Sequence, residues 1–124
     1  MNFEEIKLGN LIKVSPREHQ EGYLTVKEIQ HSSAICEMIS PRKGYEFRIK
    51  PLEMQPVPLD REWLASTGFI QEDATGLWSD SRGLIKFDKE KSSFQYPTSV
   101  PVKHIHEFQN EYFRLTGVSI RINY

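Results

Sequence analysis

Residues 100–117 read VPVKHIHEFQNEYFRLTG, and their periodicity decides the class of fold. Val102, Ile105, Phe108, Tyr112 and Leu115 recur at intervals of three and four, the period of an amphipathic helix. Gly117 stands where such a helix ends in a left-handed residue, with Val118 placed to meet Phe113. Pro101 fits the first helical turn, so the expected helix runs from about residue 101 to residue 116. A long helix in a chain whose other apolar residues come in short alternating runs means an α+β protein.

The same helix carries two histidines with one residue between them. At roughly 100° per residue, His104 and His106 should point to nearly opposite sides of the axis, whereas helical metal ligands are spaced three or four apart. No metal site is therefore expected. Lys103, His104, Glu107, Asn110, Glu111 and Arg114 make the solvated face, and His106, Gln109 and Phe113 lie on one shoulder of the apolar stripe. A histidine and a glutamine in that position are satisfied by backbone hydrogen bonds where the helix packs on a sheet, or else they form a binding site. His106, Gln109 and Phe113 are thus candidate binding residues.

Working outward, the N-terminal half reads as short strands over residues 11–14, 23–29, 34–39 and 45–49. Between them stand Ser15-Pro16, Glu21-Gly22, Ser32-Ser33 and Ser40-Pro41-Arg42-Lys43-Gly44, all turn-rich. The last strand puts Tyr45, Phe47 and Ile49 on one face and Glu46, Arg48 and Lys50 on the other. In residues 23–29 the parity slips between Val26 and Ile29, which predicts a bulge that curls the sheet. Four such strands suit a small SH3-like barrel or an open meander.

Pro51, Pro56 and Pro58 hold the next stretch extended and mark it as a connector, dividing the chain into an N-terminal β unit (1–55) and a C-terminal α+β unit (56–124). A short helix follows over residues 61–67, with Asp60 as N-cap, Leu59 and Leu64 as a hydrophobic staple and Gly68 as the left-handed end. Residues 69–70, 77–78, 84–87 and 94–96 read as short antiparallel strands, and Val118, Ile120, Ile122 and Tyr124 alternate as a terminal strand. The C-terminal unit is then an antiparallel sheet with two helices.

Composition narrows the function. The acidic opening Met1-Asn2-Phe3-Glu4-Glu5 predicts no signal peptide, and no stretch approaches the roughly 18 apolar residues of a membrane span. A soluble, cytoplasmic chain with no membrane partner is expected. Charge is balanced: eight Lys/Arg face eight Asp/Glu up to Glu53, and eight face nine from Pro56 onward. A nucleic-acid binder more often has a basic balance. The single cysteine, Cys36, lies in an alternating strand and reads as an inert core residue.

Chemistry-bearing motifs are absent. The seven glycines form neither GxGxxG nor GxxxxGK[ST], and no GxSxG, HExxH, CxxC or EF-hand loop occurs. Asp60, Glu62, Asp73, Asp80 and Asp88 fall in caps, turns and solvated stretches, whereas a general-acid pair needs a carboxyl group in an apolar setting. No catalytic residue, cofactor or enzymatic activity is expected. Two binding features remain. Trp78, in a glycine-bounded hairpin, is either core or an anchoring residue. Arg42, Lys43, Arg48 and Lys50 surround Tyr45 and Phe47 as a basic strip with interleaved aromatics, diluted by Glu37, Glu46 and Glu53.

Two stretches resemble a known group of proteins. LDREWLASTGF and VKHIHEFQNEYFRLTGVSI are similar to the WLxxxGF segment and the VHELQNLYFALTG-like C-terminal helix of short uncharacterised proteins of bacterial phages and integrated mobile elements. Ile105, His106, Glu107, Gln109, Asn110, Tyr112, Phe113, Leu115, Thr116 and Gly117 match that helix, and Phe108 and Arg114 depart from it. The resemblance covers mainly residues 56–70 and 102–120. It implies an accessory protein of a mobile element and supplies no catalytic residue. The functional expectation is a small protein-interaction module with a host or phage protein as partner; the alternative is a nucleic-acid-binding module using the N-terminal β unit.

Overall fold

A computed structural model describes residues 1–17, 20–96 and 98–123, with backbone alone for 15–17, 20 and 21. The chain is α+β, with two antiparallel sheets and two helices, and divides into two compact units, Met1–Val57 and Pro58–Tyr124.

The first unit is a five-stranded sheet of β1 (Leu11–Arg17), β2 (Gln20–Ile29), β3 (Ala34–Ser40), β4 (Glu46–Ile49) and β5 (Gln55–Pro56), in the order β4-β3-β2-β1-β5. Its core gathers Ile6, Ile12, Val14, Leu24, Val26, Ala34, Cys36, Ile49 and Met54. The register between β2 and β3 shifts between Val26 and Glu28, the bulge that the parity slip predicts. Ser15 and Pro16 are strand rather than turn, as is Glu21, with Arg17 opposite Gln20 after a register shift from Val14. A proline is tolerated at such an irregularity because no ladder N–H is required of it.

The sheet does not close into a barrel. β5 is two residues long, and its Pro56, opposite Ile12, has no N–H to extend pairing. Leu11, Leu24, Val26 and Cys36 are nonetheless almost wholly inaccessible to solvent. Between β3 and β4 the turn ends in a one-residue bulge: the Met38 amide donates to Tyr45 O at 2.7 Å and the Gly44 amide donates to Met38 O at 3.0 Å. Gly44 has φ +96°, which residues with a Cβ rarely adopt.

The second unit runs α1 (Arg61–Ser66), β6 (Ile70–Gln71), β7 (Trp78–Ser79), β8 (Lys86–Asp88), β9 (Ser93–Tyr96), β10 (Val100–Pro101) and α2 (Ile105–Thr116), its strands paired in chain order as a meander. α1 starts as its punctuation dictates, with the Trp63 amide donating to Asp60 Oδ1 at 2.8 Å, and Gly68 takes φ +91°. The sheet packs on α2 through aromatic rings centred on Phe108. Its ring centroid lies 4.9 Å from those of Phe69 and Phe94 and 5.0 Å from that of Phe87.

Two expectations are corrected here. The long helix begins at Ile105, not near Pro101, because Val100 and Pro101 pair with Phe94 and Ser93 as an edge strand. A proline suits an edge strand as well as a first helical turn, and the ladder on offer from β9 decides between them. Residues 118–123 form no strand despite their alternation. Their main chain is used elsewhere: Gln109 Nε2 donates to Ile120 O at 3.3 Å and the Asn123 amide donates to Ser66 O at 2.9 Å. Tyr124, the last residue of that pattern, lies outside the described residues.

Candidate functional site

The basic strip of the first unit lies on an open sheet edge. β4 pairs with β3 alone among the described residues, with Phe47 opposite Cys36 and Arg48 opposite Ile35. Phe47 shares the face of the buried Cys36 and Ile49, but no strand among the described residues lies beyond the edge to cover it. Tyr45 is 55% and Phe47 43% exposed. Arg42, Lys43, Arg48 and Lys50 are exposed, and none of them is in an ion pair among the described residues.

The acids that dilute the strip in sequence are largely engaged in space. Glu37 binds Lys27 at 3.0 Å, and Glu53 Oε1 accepts from the Lys50 amide at 3.0 Å. Glu46 is exposed on the strand itself. The strip thus presents four cations, two aromatic rings and one strand acid around an open edge.

At the start of α2 the histidines behave otherwise than helical geometry predicts. His104 is the N-cap, with extended backbone (φ −128°, ψ 155°), so the 100° rotation per residue does not apply to it. The His104 and His106 rings are nearly parallel, 17° apart in plane, with centroids separated by 5.8 Å. Glu107 ties this end together: its Oε1 accepts from the His104 and Lys103 amides at 3.0 and 3.2 Å and lies 2.8 Å from His104 Nδ1. Burial pushes the Glu107 carboxyl up, but the Lys103 amide, the His104 hydrogen bond and the charges of both histidines outweigh it and hold the group below its ordinary range. This is a helix cap built around an acid at the third helical position. Among the described residues no three His, Cys, Asp or Glu side chains are grouped to hold a metal ion.

Of the candidates on that shoulder, His106 and Gln109 are buried, and Phe113 is 52% exposed. Trp78 is buried and forms one wall of a shallow depression of about 300 Å³ with Arg61, Gln71, Leu77, Lys89 and Glu90. Polar atoms there bond to one another: Arg61 Nη2 donates to Gln71 Oε1 at 2.7 Å, and Gln71 Nε2 to Gly76 O at 3.1 Å. Trp78 is therefore largely buried, with 5% of its surface accessible.

Asp80 is not solvated, contrary to its turn-like sequence context. It is buried, and its Oδ1 accepts from the Leu84 and Ile85 amides at 2.9 and 3.2 Å while Tyr112 Oη donates to Oδ2 at 3.1 Å. Burial and this bond to Asp80 push the Tyr112 hydroxyl above its usual range. With both oxygens occupied, Asp80 serves to hold the β7–β8 turn against α2. Only its distance in sequence from Tyr112 hid the pairing.

The seven candidate residues thus fall in different places. Arg48 lies on β4, and Arg42 and Lys43 in the turn before it; His106, Gln109 and Phe113 lie on α2, and Trp78 lies on β7. Comparison with protein-family models, with curated proteins and with solved structures gives no significant match. Among the described residues no helix is long and apolar enough to cross a membrane.

Proposed function

We propose that the chain is a non-enzymatic accessory module of a phage or mobile element that binds a host or phage protein through β4 and its flanking cations. One observation carries this reading: Tyr45 and Phe47 stay exposed on an unpaired strand edge beside Arg42, Lys43, Arg48 and Lys50. Aromatic and arginine side chains are the types enriched at binding hot spots. The mobile-element assignment rests on the resemblance of the 105–117 helix and the WLxxxGF segment.

Affinity capture from a bacterial lysate tests it, comparing the wild-type chain with an Arg42→Glu/Lys43→Glu/Arg48→Glu variant, each with and without nuclease. One protein held by the wild type, resistant to nuclease and lost with the variant is the expected result. Equal capture by both chains overturns the β4 assignment.

A second reading is favoured by the same cations and rings, since a basic groove with stacking aromatics also binds single-stranded nucleic acid. Its signature is affinity for an oligonucleotide that falls steeply with salt as counterions are released. Loss of all captured material on nuclease treatment would move this reading to first place.

A further inference from the structure

Resting on the β4 reading above, we infer that the partner enters as an extended acidic peptide, added to the sheet as a further strand alongside β4. Tyr45 spends its carbonyl on Met38. In an antiparallel ladder the bonding direction alternates, so Phe47 and Ile49 face β3 while the N–H and C=O of Glu46 and Arg48 face outward. An extended peptide takes up such a row of main-chain groups, and its side chains meet those of the edge on alternate faces.

The other edges are poor hosts. β5, β6 and β10 are two residues long, and β5 and β10 each contain a proline. Of the edge strands, β4 is the longest among the described residues, and the stretch of β1 beyond its two-residue pairing with β5 contains Pro16.

Side chains specify the occupant. One face of β4 presents Phe47, with the exposed Tyr45 just before the strand, and these suit apolar residues; the other presents Arg48 and leads to Lys50, which suit carboxylates. Glu46 shares the Arg48 face and sets the register, because an acid opposite it is repelled. A second copy of this chain is disfavoured, since β4 against β4 brings two sets of four cations together. Cations on an edge commonly serve just to prevent such pairing. That role accounts for the charges but not for two aromatic rings kept exposed among them. A nucleic acid would use the rings and cations and leave the outward amides of Glu46 and Arg48 unengaged.

The test follows amide hydrogen exchange by NMR in the full chain, titrated with a capped peptide of about seven residues, as in a typical strand, that has Val at alternate positions, Glu at the two intervening positions opposite Arg48 and Lys50, and Thr at the one opposite Glu46. The expected result is exchange slowed about tenfold or more at Glu46 and Arg48, with Phe47 unchanged. Arg48→Glu, or Gln for Glu in the peptide, should weaken binding about tenfold. A peptide N-methylated at alternate amides keeps its charge but loses its bonding edge and should give no protection. Binding without protection of those two amides, equal binding of the N-methylated peptide, binding of oligo-dT in place of the peptide, or no binding at all overturns the inference. A photo-crosslinker at position 45 separates the two levels. If it still traps a protein in lysate when the peptide fails, strand addition falls and the β4 reading stands; if both fail, the reading falls too.

Discussion

Cys36 and Glu107 are titrating side chains moved in opposite directions by their surroundings. Cys36 has no accessible surface, and burial pushes its thiol up to about 11. At pH 8 only about one such thiol in a thousand is ionised, so a thiol reagent should leave the native chain unmodified and react promptly in denaturant. Rapid modification of the folded protein would show that the thiol is reachable. The inward position was legible from the alternation of residues 34–38, and Cys36 does pair on one face with Val26 and Phe47. Glu107 is held low, so its contribution to stability is complete above the ordinary carboxylate value of about 4.3 and is lost as pH falls through its lower folded value. Glu107→Gln should cost about 1 kcal/mol at neutral pH, with wild type and variant converging only as pH falls below that folded value, as read from urea unfolding curves. A gap independent of pH would remove the charged cap.

Helix α2 shows how far an element can be read from its own residues. Its apolar period picked out Ile105, Phe108 and Tyr112, and all three are buried. Its start was misplaced by about four residues because a neighbouring strand captured Val100 and Pro101, and periodicity carries no signal for that. The same element offers a contrast between two phenylalanines. Phe108→Ala removes the ring at the centre of the aromatic cluster and should cost about 3–5 kcal/mol. Phe113→Ala removes a half-exposed ring and should cost about 0.5 kcal/mol or less. Chemical denaturation of both variants checks the difference, and equal losses would mean that Phe113 is packed. Within α1 the N-cap was readable because Asp60 and Trp63 are three residues apart. The Asp80–Tyr112 bond joins residues 32 apart and could be found only in the fold.

Across the whole molecule, the charges at the sheet edges should limit self-association. The formal net charge of −1 gives little repulsion between copies, yet residues 41–50 hold four cations against the single acid Glu46. Those cations sit at the longest edge strand among the described residues. Sedimentation velocity should therefore return the mass of a single 14.5 kDa chain. Arg42→Gln/Lys43→Gln/Arg48→Gln/Lys50→Gln should associate with rising concentration, because the edge keeps its exposed Tyr45 and Phe47 without the charges that oppose pairing. A variant that stays monomeric would show that the cations do not protect this edge.

On its own, the order of residues determined the features with local causes: the periods of the strands and of α2, the Asp60 cap, the left-handed glycines after both helices and the bulge in β2. Each depends on neighbours within a few positions. Tertiary structure alone decided which strand ended at an edge, whether the first sheet closed, where Pro101 belonged, and that the alternating tail bonds to Ser66 and Gln109 instead of joining a ladder. Those outcomes turn on competition among distant partners for the same main-chain groups. The basic strip shows both levels, because its residues are adjacent in sequence, while its exposure and outward amides exist only because no strand among the described residues pairs with the far side of β4.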